Sequence, residues 1–133
     1  MSNLAVVQEV YAAFARRDMK AILAHLSPEV SWSEPENPFN PAAGTRHGHA
    51  GFLEWAQIGS EAEDIELLEP QLFLTSEDAV AVVGRIRCRA KRTGRTYASD
   101  FVHVVEFHDG LITRFQEFFD TYAAGEAFRV DGS

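Results

Sequence analysis

Near the start of the chain, Leu4, Val7, Tyr11 and Phe14 recur at helical spacing, and Val6, Val10 and Ala13 widen the stripe. This predicts an amphipathic helix over residues 3–17 with one broad buried face. Asp18 is placed to cap a shorter helix over Met19–Leu26, which Ser27-Pro28 ends. Val30 and Trp32 then alternate with Ser31 and Ser33, the pattern of a short strand. Residues 34–48 carry Pro35, Pro38, Pro41, Gly44 and Gly48 and read as an irregular loop, long enough to suggest function. Ala50–Ile58 predicts a third helix with Phe52, Trp55 and Ile58 inward and Gly59 closing it.

From Ile65 onward the period changes to two. Strands are expected over Ile65–Thr75, Ala79–Lys91, Arg95–His108 and Leu111–Asp120, with Pro70 marking a bulge or an edge. Turns fall at Ser76-Glu77-Asp78, Thr93-Gly94 and Asp109-Gly110, the last a strong hairpin signal. Thr121–Phe128 reads as a short closing helix, and the last few residues are expected to fray. Helices first and antiparallel strands afterwards predict an α+β fold, a single domain in which a strongly curved sheet wraps the helices and encloses a pocket.

If both late turns are two-residue loops, the strands can be laid side by side. Cys88 then faces Ser99, Ile86 faces Phe101 and Gly84 faces His103, while Gln116, Phe118 and Asp120 oppose His103, Phe101 and Ser99. All share one largely apolar face, and Gly84 leaves a gap beside His103 for a ligand. The other face mixes Arg85, Arg87 and Glu117 with Val102, Val104 and Phe115, which suits a homodimer interface. A one-residue bulge would exchange the two faces beyond it.

Composition narrows the function classes. The chain has 133 residues and a formal net charge of −8, so a protein that tracks nucleic-acid phosphates or an anionic membrane surface is disfavoured. The lone Cys88 excludes an intramolecular disulfide, and a cytoplasmic location is expected. His47-Gly48-His49 lacks a third ligand at sensible spacing, so no metal is expected, and no cofactor either. The arginines around Arg85–Arg95 read as solvated strand positions, and Cys88 as a small core residue.

The candidate chemistry has bland counterparts. Asp120, set among Phe118, Phe119 and Tyr122, is either a carboxyl raised in pKa by an apolar surround or the N-cap of the last helix. His103 is either an acid, base or ligand-holding group or a core histidine bonded to a neighbour such as Gln116. Glu34, before Pro35 at the mouth of the loop, either abstracts a proton or is merely solvated. Tyr11, Phe14, Trp32, Trp55, Tyr97, Phe101, Gln116 and Phe118 are the candidate pocket lining.

The opening LAVVQEVYAAFARRDMKAILAHLSPEVSW, the following GHAGFLEWA and the late DFVHVVEFHDGLITRFQEFFD resemble the superfamily named after nuclear transport factor two. The likeness is to its SnoaL-like polyketide-cyclase and ketosteroid-isomerase-like branches. It implies three N-terminal helices packed into a cone-shaped curved mixed sheet, a pocket, and a homodimer. Under it, Asp120 in EFFD matches the late acid/base aspartate of SnoaL-like cyclases, and His103 in DFVHVVEF a pocket position. Ser33-Glu34-Pro35 resembles the place where ketosteroid isomerases carry an Asp-Pro general base. His103 stands where those enzymes hold a neutral carboxylic acid, so that oxyanion hole is not reproduced. The expected function is therefore a cofactor-independent isomerase, cyclase or lyase acting on a small, apolar carbonyl compound. Asp120 or Glu34 would move the proton and His103 would hold the oxygen. The alternative is a non-catalytic domain for hydrophobic-ligand binding or dimerisation.

Overall fold

The structure is a computed structural model that describes residues 1–131. The expectation of a fraying terminus extends to residues 132–133, which lie outside the described residues. Helix α1 spans Asn3–Ala15, capped by the Ser2 hydroxyl, which accepts from the Ala5 amide at 3.1 Å. Helix α2 is Met19–Leu23, and Asp18 caps it as the sequence suggests, accepting from Ala21 N at 3.0 Å. It stops earlier than expected because Leu26, buried and paired with Ile112, already belongs to strand β1, Leu26–Glu34.

The loop expected over 34–48 is not wholly irregular. Gly44–His47 forms strand β2, antiparallel to β1, with Gly44 entering it at φ +103°. Its alternating half-exposed and exposed positions gave no apolar signal. Helix α3, Gly48–Ala62, starts earlier than expected and runs through Gly59, around which there is open space. Strands β3 (Glu63–Thr75), β4 (Ala79–Ala90), β5 (Thr96–His108) and β6 (Leu111–Phe119) follow, then helix α4, Thr121–Phe128. Among the described residues the strands form one curved, unclosed sheet in the order β2-β1-β6-β5-β4-β3, with β1 and β6 parallel and the other neighbours antiparallel. The fold is α+β. Pro70 lies on the edge strand β3, and the register shifts between it and Leu72.

Register decides which side chains face inward. The β4–β5 connection is longer than two residues: Ala90 N donates to Arg95 O at 2.8 Å, so Cys88 faces Tyr97 and Ile86 faces Ser99. That is a slip of two from the expected pairing, which leaves every side chain on its expected face. The β5–β6 turn is the two-residue Asp109-Gly110, both at positive φ (49° and 80°), as a type I′ turn requires. Beyond it Phe107 faces Ile112 but Glu106 faces Arg114, leaving Thr113 as an extra residue. The rest of β6 is inverted from the expected map: Phe115, Glu117 and Phe119 turn inward, Gln116 and Phe118 outward. The core lies between this inner face and the helices, with Phe52, Ile22, Val30, Val80, Val82 and Phe101 almost completely buried.

Candidate functional site

The helices and the inner face of the sheet enclose a cavity of ≈ 90 Å³. Its wall is mostly apolar, with Val7, Val10 and Phe14 from α1, Trp32 from β1, Trp55 from α3, and Phe115 and Phe119 from β6. Into this wall are set Tyr11, Glu34, Glu63, Cys88, Tyr97, His103 and Glu117. Ile65, near the start of β3, also lines the cavity and is half-exposed.

The inverted register of β6 puts Glu117 directly across from His103. Glu117 Oε2 lies 2.6 Å from His103 Nε2, and Tyr11 Oη lies 2.5 Å from His103 Nδ1. With Nε2–H donating to Glu117, the neutral imidazole accepts the Tyr11 proton, whereas the imidazolium donates to Tyr11 Oη. The ring is held in place by Phe101, stacked at 4.2 Å, and by Tyr11 at 5.8 Å. Gly84 does not leave a gap for a ligand, as the sequence suggested. A Cβ there would come within 2.6 Å of the Phe101 ring and 2.3 Å of Glu69 O, so Phe101 already fills that space.

Glu34 ends β1 and is 7% exposed. One carboxyl oxygen accepts from Asn40 Nδ2 at 2.5 Å, the other from Trp55 Nε1 at 2.9 Å. Burial, reinforced by the nearby charge of Glu117, pushes its pKa up to about 8 despite these two donors. Glu63, at the start of β3, accepts from Tyr97 Oη at 2.7 Å, and burial raises it to about 7. Burial also pushes the Tyr11 and Tyr97 phenols and the Cys88 thiol well above their usual ranges, which keeps all three protonated near neutrality. The arrangement is a set of proton-bearing groups around a largely apolar, aromatic-walled space. It suits proton transfer to and from a small bound molecule.

A SnoaL-like domain model matches residues 7–115. The chain belongs to the SnoaL-like family. An NTF2-like protein of unknown function from Burkholderia pseudomallei is 33% identical, covering 98% of this chain and 100% of that one, with a TM-score of 0.88. TerC, co-crystallised with polyporic acid, is 31% identical over 95% of this chain and 97% of its own, with a TM-score of 0.79. A candidate polyketide cyclase from Pseudomonas putida shares the fold at TM-score 0.79, covering 97% of this chain and 99% of its own at 20% identity. These place the chain in the SnoaL-like part of the nuclear-transport-factor-two superfamily.

Within this SnoaL-like frame, the cavity brings together Glu34, His103, Tyr11, Phe14, Trp32, Trp55 and Tyr97 of the expected site. Asp120 is not there. It is exposed and caps α4, its carboxylate accepting from Ala123 N at 2.9 Å. The inverted register turns Asp120 to the outer side with Gln116 and Phe118, and the start of α4 takes its carboxylate as a cap. Gln116 and Phe118 face outward for the reason given by Thr113, and Phe118 is half-exposed. The partner of His103 is Glu117, not Gln116. Glu117 and Phe115, expected on the outer face, belong to the cavity wall. Phe101 packs behind His103 and does not line the space.

Sequence reasoning missed Glu117, Glu63 and Asn40. The placement of Glu117 turned on one bulge, and Glu63 stands where a helix passes into a strand without a turn signal. Cys88 is buried as expected but also borders the cavity. Of the histidine pair, His49 Nε2 lies 2.9 Å from the Leu26 carbonyl oxygen, and Glu54 accepts from Arg46 Nε at 3.1 Å. Among the described residues, no group of three or more His, Cys, Asp or Glu side chains is arranged to hold a metal ion.

Proposed function

We propose that this SnoaL-like protein is an isomerase, cyclase or lyase that moves a proton next to a carbonyl of a small, largely apolar substrate. Glu34 is the base. It takes the proton from the carbon beside the carbonyl, the C–H electron pair moves toward the carbonyl, and the oxygen gains negative charge. Tyr11 donates its phenol proton to that oxygen while the imidazolium of His103, paired with Glu117, donates to Tyr11 Oη. Both His103 nitrogens are already bonded, so His103 acts on the oxygen through Tyr11. The observation that carries this reading is Glu34, a buried carboxyl with a pKa of about 8, in the same cavity as the Tyr11–His103–Glu117 chain. A carboxyl with a pKa of about 8 is a strong enough base to deprotonate carbon, and the minority ionised near neutral pH is the reactive form. That the similar protein TerC was co-crystallised with polyporic acid supports a small organic molecule as the class of ligand.

The test is exchange in D₂O. A panel of small aryl ketones and diketones is incubated with the protein, and loss of the α-proton signal is followed by NMR. Catalysed exchange that Glu34→Gln abolishes is the expected result. Binding with no exchange for any ligand would instead favour a non-catalytic binding domain.

We also propose a homodimer through the outer face of the sheet. Leu72, Leu74 and Phe118 are half-exposed there, beside Val102 and Val104 and the Arg85–Asp100 ion pair. Exposed apolar side chains interleaved with charges on one sheet face are the character of an association surface. A monomer at micromolar concentration in sedimentation would refute it. Among the described residues no helix is long and apolar enough to cross a membrane.

A further inference from the structure

We propose that Asn40 is a positioning residue for Glu34, and that Arg46 braces the loop that presents it. This rests on the reading of Glu34 as the proton-moving carboxyl. Asn40 is 6% exposed, in the irregular segment between β1 and β2. Its Oδ1 accepts from the Ala42 amide at 3.0 Å, which fixes the orientation of the side-chain amide. Nδ2 must then face Glu34, and it cannot swap with the oxygen without losing both bonds.

The loop is held from behind. Arg46 Nη1 donates to the Ala42 carbonyl at 2.8 Å, and Arg46 Nε donates to Glu54 of α3 at 3.1 Å. On its other side Asn37 Nδ2 donates to the Thr121 carbonyl at the start of α4, at 2.8 Å. Glu34 thus has a donor on each oxygen, one from α3 and one from a loop pinned to both α3 and α4. Without Asn40, one carboxyl oxygen would be free to rotate toward the wall. The ionised form would also lose a hydrogen bond that favours it.

The ionisable groups facing Glu34 from the packed elements are Glu117 of β6, Glu63 of β3 and Cys88 of β4. Tyr11, Tyr97 and His103 line the same space. The indole N–H of Trp55 donates directly to Glu34, so its NMR signal reports the ionisation of that carboxyl without any substrate. In the wild-type protein this signal should titrate near pH 8, and Glu34→Gln should abolish the transition.

Asn40→Asp retains the oxygen that accepts from Ala42 but replaces the donor with a like charge, and should raise the midpoint by about one pH unit or more. Asn40→Ala should raise it by less, and Arg46→Gln should move it in the same direction. If Glu34→Gln leaves the transition in place, the signal belongs to another group and both readings fall. If Glu34→Gln removes it but neither Asn40 variant moves it, the positioning role alone is overturned. A lowered melting temperature with an unmoved midpoint would make Asn40 purely structural, and would overturn the proposal equally.

Discussion

Glu34 and Glu117 border one cavity and are held in opposite ways. Glu34 accepts from two neutral donors, an amide and an indole, and among the described residues no cation bonds it. Glu117 accepts from an imidazole that can carry positive charge and is backed by a phenol. Neutral donors soften the burial of a carboxylate but do not balance its charge, whereas an imidazolium does. The negative charge therefore belongs on the Glu117 side and the proton on the Glu34 side. Each also enforces the other, since the charge on Glu117 is one of the causes that keep Glu34 protonated.

The strongest way to break this asymmetry is Glu34→Gln. Turnover should fall by on the order of a hundredfold or more, with ligand binding kept. The same variant should change the pH dependence of stability. Below about pH 4.5 folded and unfolded chains both carry the Glu34 proton; between 4.5 and about 8 the unfolded chain ionises first. Stability is therefore expected to fall as pH rises through that window, by up to about 1.4 kcal/mol per pH unit, and the contribution of the Glu34 proton is fully lost above it. Urea denaturation at a series of pH values should show a flatter profile for the variant. A profile as steep as wild type would mean that Glu34 does not hold the proton. Glu63, raised to about 7, should add a loss of the same sign and slope over the narrower window from 4.5 to 7, and so a smaller total.

Glu117→Gln is the next largest. It keeps an acceptor for His103 but removes the charge, costing about 1–2 kcal/mol in stability. The activity profile, which for a base should rise with pH up to about 8 in wild type, should shift to lower pH because Glu34 loses its like-charged neighbour. A shift to higher pH would contradict the coupling. Tyr11→Phe removes one link of the chain and should reduce turnover roughly tenfold at about 1 kcal/mol in stability, as measured by steady-state kinetics and melting. Asp120→Asn should do almost nothing, within about 0.5 kcal/mol by urea denaturation, since Asn is an equally good helix cap. A large loss of turnover there would restore Asp120 to the site.

The sequence made most of the fold legible because the apolar periods were strong: Leu4 to Phe14 at helical spacing, and Ala79 to Ala90 in alternation. It was weakest where structure depends on partners. Strand β2 carries no apolar pattern and exists because β1 offers it an edge. The two hairpins show how register errors differ in consequence. Misjudging the β4–β5 loop by two residues cost nothing in side-chain direction. The β5–β6 turn was identified correctly, yet the inserted Thr113 three residues later inverted every assignment from Arg114 on. Tyr11, Trp55, Glu34 and His103 were found because their positions lie on α1, α3, β1 and β5, away from that insertion. Glu117 was not, and nothing local in RFQEFFD distinguishes it from a solvated strand residue.

Thr113 also bears on how such a cavity can diverge. A deletion of one residue there, with the turn and the flanking strand unchanged, would carry Gln116 and Phe118 to the inner side and Glu117 to the outer. On paper that is a gap one column wide between two nearly identical chains. In the molecule it exchanges a carboxylic acid for a carboxamide beside the same imidazole. Members of a lineage separated by so slight an insertion would inherit the same architecture and different acid–base chemistry, and percentage identity would not reveal it.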